Sequence, residues 1–199
     1  DNLDSEAIKV RDIQMTVKGA LTSALDAGSS IRAAIAFQAT GAQFADAAQQ
    51  QAFGENFDGS LRLDYQPTGQ LLITDVNLAG QQYDLTGDLV VKGPDASFQT
   101  EVDVTLAADR LARFSALVGT DLNGQAQLAI AGTADLGGGF NLQLTGTTTD
   151  LGIGIAQADK ALAGVTKLDL VVVRDETGVQ VPSLSIQNPQ IEAKGVATL

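Results

Sequence analysis

Cysteine, histidine and tryptophan are all absent from the 199 residues, and aromatic residues of any kind amount to 5%. Without cysteine there is no disulfide, thiolate nucleophile or cysteine-ligated metal. The compartment stays open, because many bacterial periplasmic proteins also lack cysteine. Without histidine there is no Ser-His-Asp triad, no HExxH zinc site and no imidazole acid–base chemistry. Charge is scarce too, at 18% against roughly 25% in ordinary soluble domains. What charge exists is mostly of one sign: 24 acidic and 12 basic residues leave a net −12. Such a surface repels phosphate backbones, and no Lys/Arg cluster makes a local exception, so no nucleic acid is expected as a partner. Direct docking on anionic headgroups is disfavoured for the same reason.

Long apolar runs are missing as well. No stretch of about 18 apolar residues occurs, so no transmembrane helix is expected. The opening Asp1-Asn2-Leu3-Asp4 is acidic and leads into no signal-peptide core. At the other end, Gly195 to Leu199 stops inside an alternating pattern. Both ends are therefore expected to be cut points in a longer envelope protein.

What is present is alternation with a period of two, the mark of half-buried strands. Ile8 and Val10 share one phase and Ile13, Met15 and Val17 the other, which predicts a bulge near Arg11-Asp12. Ile31, Ala33, Ile35, Phe37 and Ala39 form a clean stripe, and Leu61, Leu63 and Tyr65 alternate with Arg62 and Asp64. Gln66-Pro67-Thr68-Gly69 predicts a turn before Leu71 and Ile73. The pattern runs on through Val76, Leu78, Tyr83, Leu85, Leu89 and Val91, then past Gly93-Pro94-Asp95 into Val102, Val104 and Leu106. It resumes at Ala126, Leu128 and Ile130; at Phe140, Leu142 and Leu144; at Leu168, Leu170 and Val172; and at Val179, Val181, Leu184, Ile186, Ile191, Ala193 and Val196. On the order of a dozen strands joined by short Gly-, Asp-, Asn- or Pro-bearing turns implies an antiparallel meander.

Helical signal is sparse. Asp109 to Val118 predicts a helix with Asp109 as its cap, Leu111, Phe114, Leu117 and Val118 on one face, and Gly119 as its stop. Ala156 to Ala163, stopped by Gly164, predicts a shorter one. Residues 42–52 read as either a helix or a polar loop, and a weak divide falls near 42–58 within a single segment spanning 1–199.

Two short helices cannot cover a dozen one-faced strands. The apolar face must meet another sheet, close into a barrel, fold into a trough or take an apolar ligand. A membrane barrel is disfavoured by the lack of tryptophan and the two tyrosines, too few for interface girdles.

Carboxylate pairs are the one catalytic device left. Glu101 and Asp103 flank Val102 and share a face about 7 Å apart, within the range of glycosidase pairs. With Val102, Val104 and Leu106 turned inward, that face is expected to be wet, where burial cannot raise a carboxyl pKa. Asp169, Asp175 and Glu176 have no calcium-loop spacing, and Gly137-Gly138-Gly139 is followed by no Lys-Ser/Thr, so turn chemistry is the reading for both. No cofactor or metal is expected, and the chain is read as non-enzymatic.

Residues 108–199 resemble the TamB family of the AsmA-like superfamily. The residues that carry the likeness are Asp109 to Gly119, a helix ending in glycine, followed by Leu122-Asn123-Gly124-Gln125-Ala126-Gln127-Leu128 and Ile130-Ala131-Gly132. Phe140 to Gly146, Gly154 to Gly164, Leu168-Asp169-Leu170, Arg174-Asp175-Glu176-Thr177-Gly178 and Leu184-Ser185-Ile186-Gln187-Asn188-Pro189 continue the recurring unit. Residues 1–107 agree only in style, and 42–52 fits no repeat. The resemblance implies an inner-membrane-anchored, periplasm-spanning protein of the Gram-negative envelope. It would be a translocation and assembly module working with an Omp85-type (TamA-like) outer-membrane barrel in lipid transport, protein secretion and outer-membrane biogenesis.

The expectation is thus an all-β protein: a long antiparallel sheet curled into an open trough with one or two short helices. Its groove is expected to guide phospholipid acyl chains or nascent barrel strands, such as those of autotransporters, with neighbouring repeats of the same chain as further partners. The candidate lining is Ile31, Ile35, Phe37, Leu61, Leu63, Leu71 and Ile73 in the first half, and Leu128, Ile130, Phe140, Leu142, Leu144, Leu168, Leu170 and Val172 in the second. The alternative is a closed β-sandwich or solenoid module of an adhesin or secreted stalk, with the same residues as dry core.

Overall fold

The computed structural model describes residues 8–9, 12–24, 28–66, 68–93, 98–135, 137–176 and 178–198. Arg11, where the bulge was expected, and the Pro94-Asp95 part of the Gly93-Pro94-Asp95 turn lie outside them. The protein is all-β. Two two-residue strands, β1 (Ile8–Lys9) and β4 (Gln43–Phe44), pair with each other apart from the main sheet. The other strands are β2 (Asp12–Ala24), β3 (Gly28–Thr40), β5 (Phe57–Tyr65), β6 (Leu71–Gly80), β7 (Tyr83–Val91), β8 (Thr100–Ala108), β9 (Asn123–Ala134), β10 (Phe140–Gly152), β11 (Val165–Asp175), β12 (Gly178–Gln187) and β13 (Glu192–Thr198). They form one eleven-stranded antiparallel sheet, in chain order from β2 to β13 with β4 omitted. The sheet does not close into a barrel.

Where two to five residues join the strands, the chain can only return to an adjacent antiparallel position; the longer connections after β3, β8 and β10 carry the helices. One end of the sheet carries tight turns. Between β5 and β6, Gln66 N–H donates to Gln70 O and Gly69 N–H to Gln66 O. Between β9 and β10, Asp135 N–H donates to Gly139 O, and the Asp135 carboxylate accepts from Gly139 N–H at 3.0 Å, so the triple glycine is a hairpin turn as expected.

The opposite end carries the helices: α1 (Ala47–Phe53) between β3 and β5, α2 (Ser115–Val118) between β8 and β9, and α3 (Ala156–Ala161) between β10 and β11. The Gln/Ala-rich stretch forms α1 because Asp46 caps it, accepting from Ala48 N–H at 2.7 Å and Gln49 N–H at 3.3 Å. The 109–118 expectation needs correction. Residues Leu111–Phe114 form a 3-10 turn that passes into α2, and Asp109 caps nothing; its backbone N–H instead donates to Gln82 O at 2.9 Å. Only Leu111 is buried, while Leu117 and Val118 are exposed, because four α-helical residues give too little length for a continuous face. Gly119 does stop it, in the left-handed conformation (φ 70). The third helix ends at Ala161, with Leu162 as its C-cap, two residues short of the predicted Ala163.

The Leu184-to-Pro189 stretch has a structural role that alternation does not show. Asn188 Nδ2 donates to Ala161 O at 2.6 Å and to Thr166 Oγ1 at 3.1 Å, while its Oδ1 accepts from Gln190 and Ile191 N–H at 2.8 Å. It ties the end of α3 to the β12–β13 turn. Thr166, fully buried, completes the link by donating to Leu162 O at 3.3 Å.

Candidate functional site

Register decides which side chains share a face. Leu142 lies opposite Gly132 on β9 and Val172 on β11, and Leu144 opposite Ile130 and Leu170. Following the ladders outward, Ile130 faces Val104 on β8, which faces Gly87 on β7; Leu170 faces Leu184 on β12. A parallel row runs Phe37, Gly59, Leu78, Leu85, Leu106, Leu128, Gly146, Leu168, Ile186 and Ala193. Each row crosses the strands at right angles, so the apolar side chains form continuous bands along the sheet instead of isolated stripes.

All fifteen candidate lining residues fall on this one face. They are half-buried except for Ile31, which is exposed at the hairpin end. The band also includes Val76, Leu78, Leu85, Leu89, Val102, Val104, Leu106, Leu184 and Ile186, which alternation had marked as strand positions without assigning them to the lining. Neighbouring strands spaced by about 4.8 Å give eleven strands a furrow on the order of 48 Å long.

Burial distinguishes a furrow from a core. A sealed core presents large aliphatic side chains with no accessible surface. Here no large apolar side chain among the described residues is completely buried; on the banded face Tyr83, at 3% exposure beside the helices, and Val104, at 8%, come closest. No second sheet of comparable size faces the eleven strands among the described residues. The opposite face carries polar and charged pairs among a few half-buried aliphatic residues, Leu72, Val90, Val171 and Val173. Arg32 meets Asp64 at 3.0 Å, Arg62 meets Asp75, and Gln143 donates to Asp169 at 3.2 Å. Glu101 and Asp103 sit on that face, both exposed, with Glu101 paired to Lys92 at 2.7 Å.

Among the described residues, the buried hydrophobic cluster lies at the helical end. Tyr83, Ala108, Leu111 and Ala126 are buried together, with Phe53, Phe114, Leu122 and Leu151 packed around them along with Leu78, Leu106 and Leu128 of the band, so the core covers the band at this end. Arg113 pins this cluster. Its Nε donates to Ala52 O on α1 at 2.6 Å, and its guanidinium stacks 4.7 Å from the Tyr83 ring centroid. The Tyr83 hydroxyl donates to Phe53 O at 3.4 Å, and Gln51 Nε2 reaches Ala112 O at 3.2 Å. Tilted and edge-to-face contacts link Phe37, Phe57, Phe44, Phe53, Tyr83 and Phe114 into one chain of rings. Neither Tyr83 nor Arg113 stood out in the sequence, because their partners lie tens of residues away.

Burial raises the Tyr83 pKa above its ordinary 10.0; the Arg113 charge opposes the shift and the Asp84 carboxylate adds to it. A raised folded-state pKa means this contribution to stability is complete below pH 10 and is lost as pH rises through the folded value. The melting temperature should therefore fall as pH rises above about 10. Tyr83→Phe should flatten that fall relative to the parent chain in parallel melts. Equal slopes would show that the phenol does not titrate with unfolding.

No family model, curated protein or solved structure matches the chain. A functional reading therefore rests on the residues and the geometry above.

Proposed function

We propose that this chain is a non-catalytic scaffold whose open apolar furrow carries hydrophobic cargo, acyl chains first, along its length. One observation carries the reading: a continuous apolar band crosses all eleven strands, yet no large apolar side chain among the described residues is fully buried. Leaving so much aliphatic surface open is costly in water unless something apolar occupies it. The resemblance in residues 108–199 extends the reading to a periplasmic segment of an inner-membrane-anchored assembly module, with an Omp85-type barrel as partner and nascent barrel strands as a second cargo.

Mass spectrometry of lipid co-purifying with the protein from a bacterial envelope tests it. Phospholipid recovered at stoichiometric amounts, and displaced by added fatty acid, is the expected result. A lipid-free protein that also fails to bind a fluorescent fatty acid would remove the basis for the proposal.

A further inference from the structure

The two edges of the sheet are built differently, and the difference points to a partner. Edge strands offer unpaired N–H and C=O groups, which proteins usually blunt with charge, proline, bulges or shortness. At one edge, β13 has seven residues that include Glu192 and Lys194, and its ladder with β12 shifts register beside Pro182. At the other edge, β2 has thirteen residues, no proline, and an unbroken register against β3. After Asp12 its only charge is Lys18. Its apolar positions Met15 and Val17 are 58% and 57% exposed, whereas Ile35 and Phe37 beside them are half-buried. Val196 on β13 is 78% exposed as well, so what sets the β2 edge apart is its length, its single charge after Asp12 and its unbroken register.

Strand direction then limits how a second copy could extend the sheet. Every neighbouring pair is antiparallel, so across eleven strands the first and last run the same way. Head-to-tail joining of β13 to the β2 of another copy would therefore require a parallel ladder, unlike any in the molecule, and would use the shorter edge. A two-fold axis perpendicular to the sheet instead sets β2 antiparallel to itself and keeps both apolar faces on one side.

We propose that β2 is a homodimerisation edge, pairing with β2 of a second copy about a two-fold axis through Val17 so that the apolar furrow continues from one copy into the other. Lys18 selects the register. The longest self-ladder, across 12–24, sets Lys18 against its own copy, and like charges directly opposite are destabilising. Moving the axis to Val17 keeps residues 12–22 paired, places Lys18 opposite Thr16 and Met15 opposite Gly19 of the second copy, and leaves Val17 facing itself.

The absence of cysteine makes the test direct. Directly opposite residues of an antiparallel pair have Cα atoms about 4.5–5.5 Å apart, within the span of a disulfide. Under mild oxidation Val17→Cys should convert to a covalent dimer, whereas Val196→Cys on the far edge should not. Sedimentation of the parent chain over a hundredfold concentration range should show a monomer–dimer equilibrium. Val17→Lys should shift it at least tenfold toward monomer with an unchanged circular dichroism spectrum, and Val196→Lys should leave it in place. A parent chain that stays monomeric throughout overturns the proposal. So does a dimer that survives Val17→Lys and is lost in Val196→Lys. Because these readouts need no lipid, they stand or fall separately from the cargo reading.

Discussion

Leu142→Asp should give a folded protein that no longer binds acyl chains. Leu142 is half-buried at mid-strand on the banded face, between Gly132 and Val172, with exposed Asn141 and Gln143 pointing the other way. In a sealed core, an unpaired carboxylate there would cost several kcal/mol and unfold the sheet. In the open furrow it can reach water, so the cost is chiefly the lost aliphatic contact, about 1–2 kcal/mol for a side chain half withdrawn from solvent. A charge in the path of an apolar ligand is far more damaging than the fold change itself. Fluorescent fatty-acid binding should drop more than tenfold while the circular dichroism spectrum is retained. Global unfolding of Leu142→Asp, with full lipid binding by the milder Leu142→Asn, would favour a closed structural module.

The second large effect is expected at two glycines of the same face. Gly132 and Gly146 have φ angles of 148 and 155, a region that side-chain-bearing residues rarely adopt. A Cβ at Gly132 would collide with the Asn141 carbonyl oxygen and come within 3.0 Å of Leu142 Cα; at Gly146 it would meet the Gln127 carbonyl oxygen and Leu128 Cα. The obstruction is backbone of the adjacent strand, which cannot move without breaking the ladder. Glycines of this kind let neighbouring strands approach and bend. Gly132→Ala and Gly146→Ala should each lose on the order of 3 kcal/mol from strain and overlap together. For a chain of this size that corresponds to roughly 6–12 °C in Tm. Gly195→Ala, where a Cβ meets nothing within 4 Å, is the matched control and should change the Tm little. Equal melting of all three variants would remove the argument that these positions shape the sheet.

Much of the molecule was legible before folding is considered. Period-two alternation located the long strands, and short polar turns between them imply sequential antiparallel pairing. Two of the register shifts coincide with phase changes that the alternation reading passed over. The apolar phase moves from odd to even numbers between Ile73 and Val76, and from Val181 to Leu184, where the ladders do shift. The side of the sheet on which each lining residue falls follows from the same parity, since a one-residue slip would send the whole set to the wet face.

Long-range contact decided the rest. Whether an aliphatic band is a core or a furrow depends on what stands opposite it, and alternation within a strand carries no information about that. The 109–118 helix shrank because Leu111 and Arg113 are held by Tyr83 and Ala52, which fix a tight turn where propensity alone favoured a longer helix. Asp109, a good cap by composition, became a strand-end residue because Gln82 O accepts its backbone N–H. The sequence by itself determined strands, turns and faces, since these depend on neighbours one to four residues away. The tertiary structure alone decided the open sheet, the pinned helical end and the unbroken β2 edge, because each depends on groups brought together from distant parts of the chain.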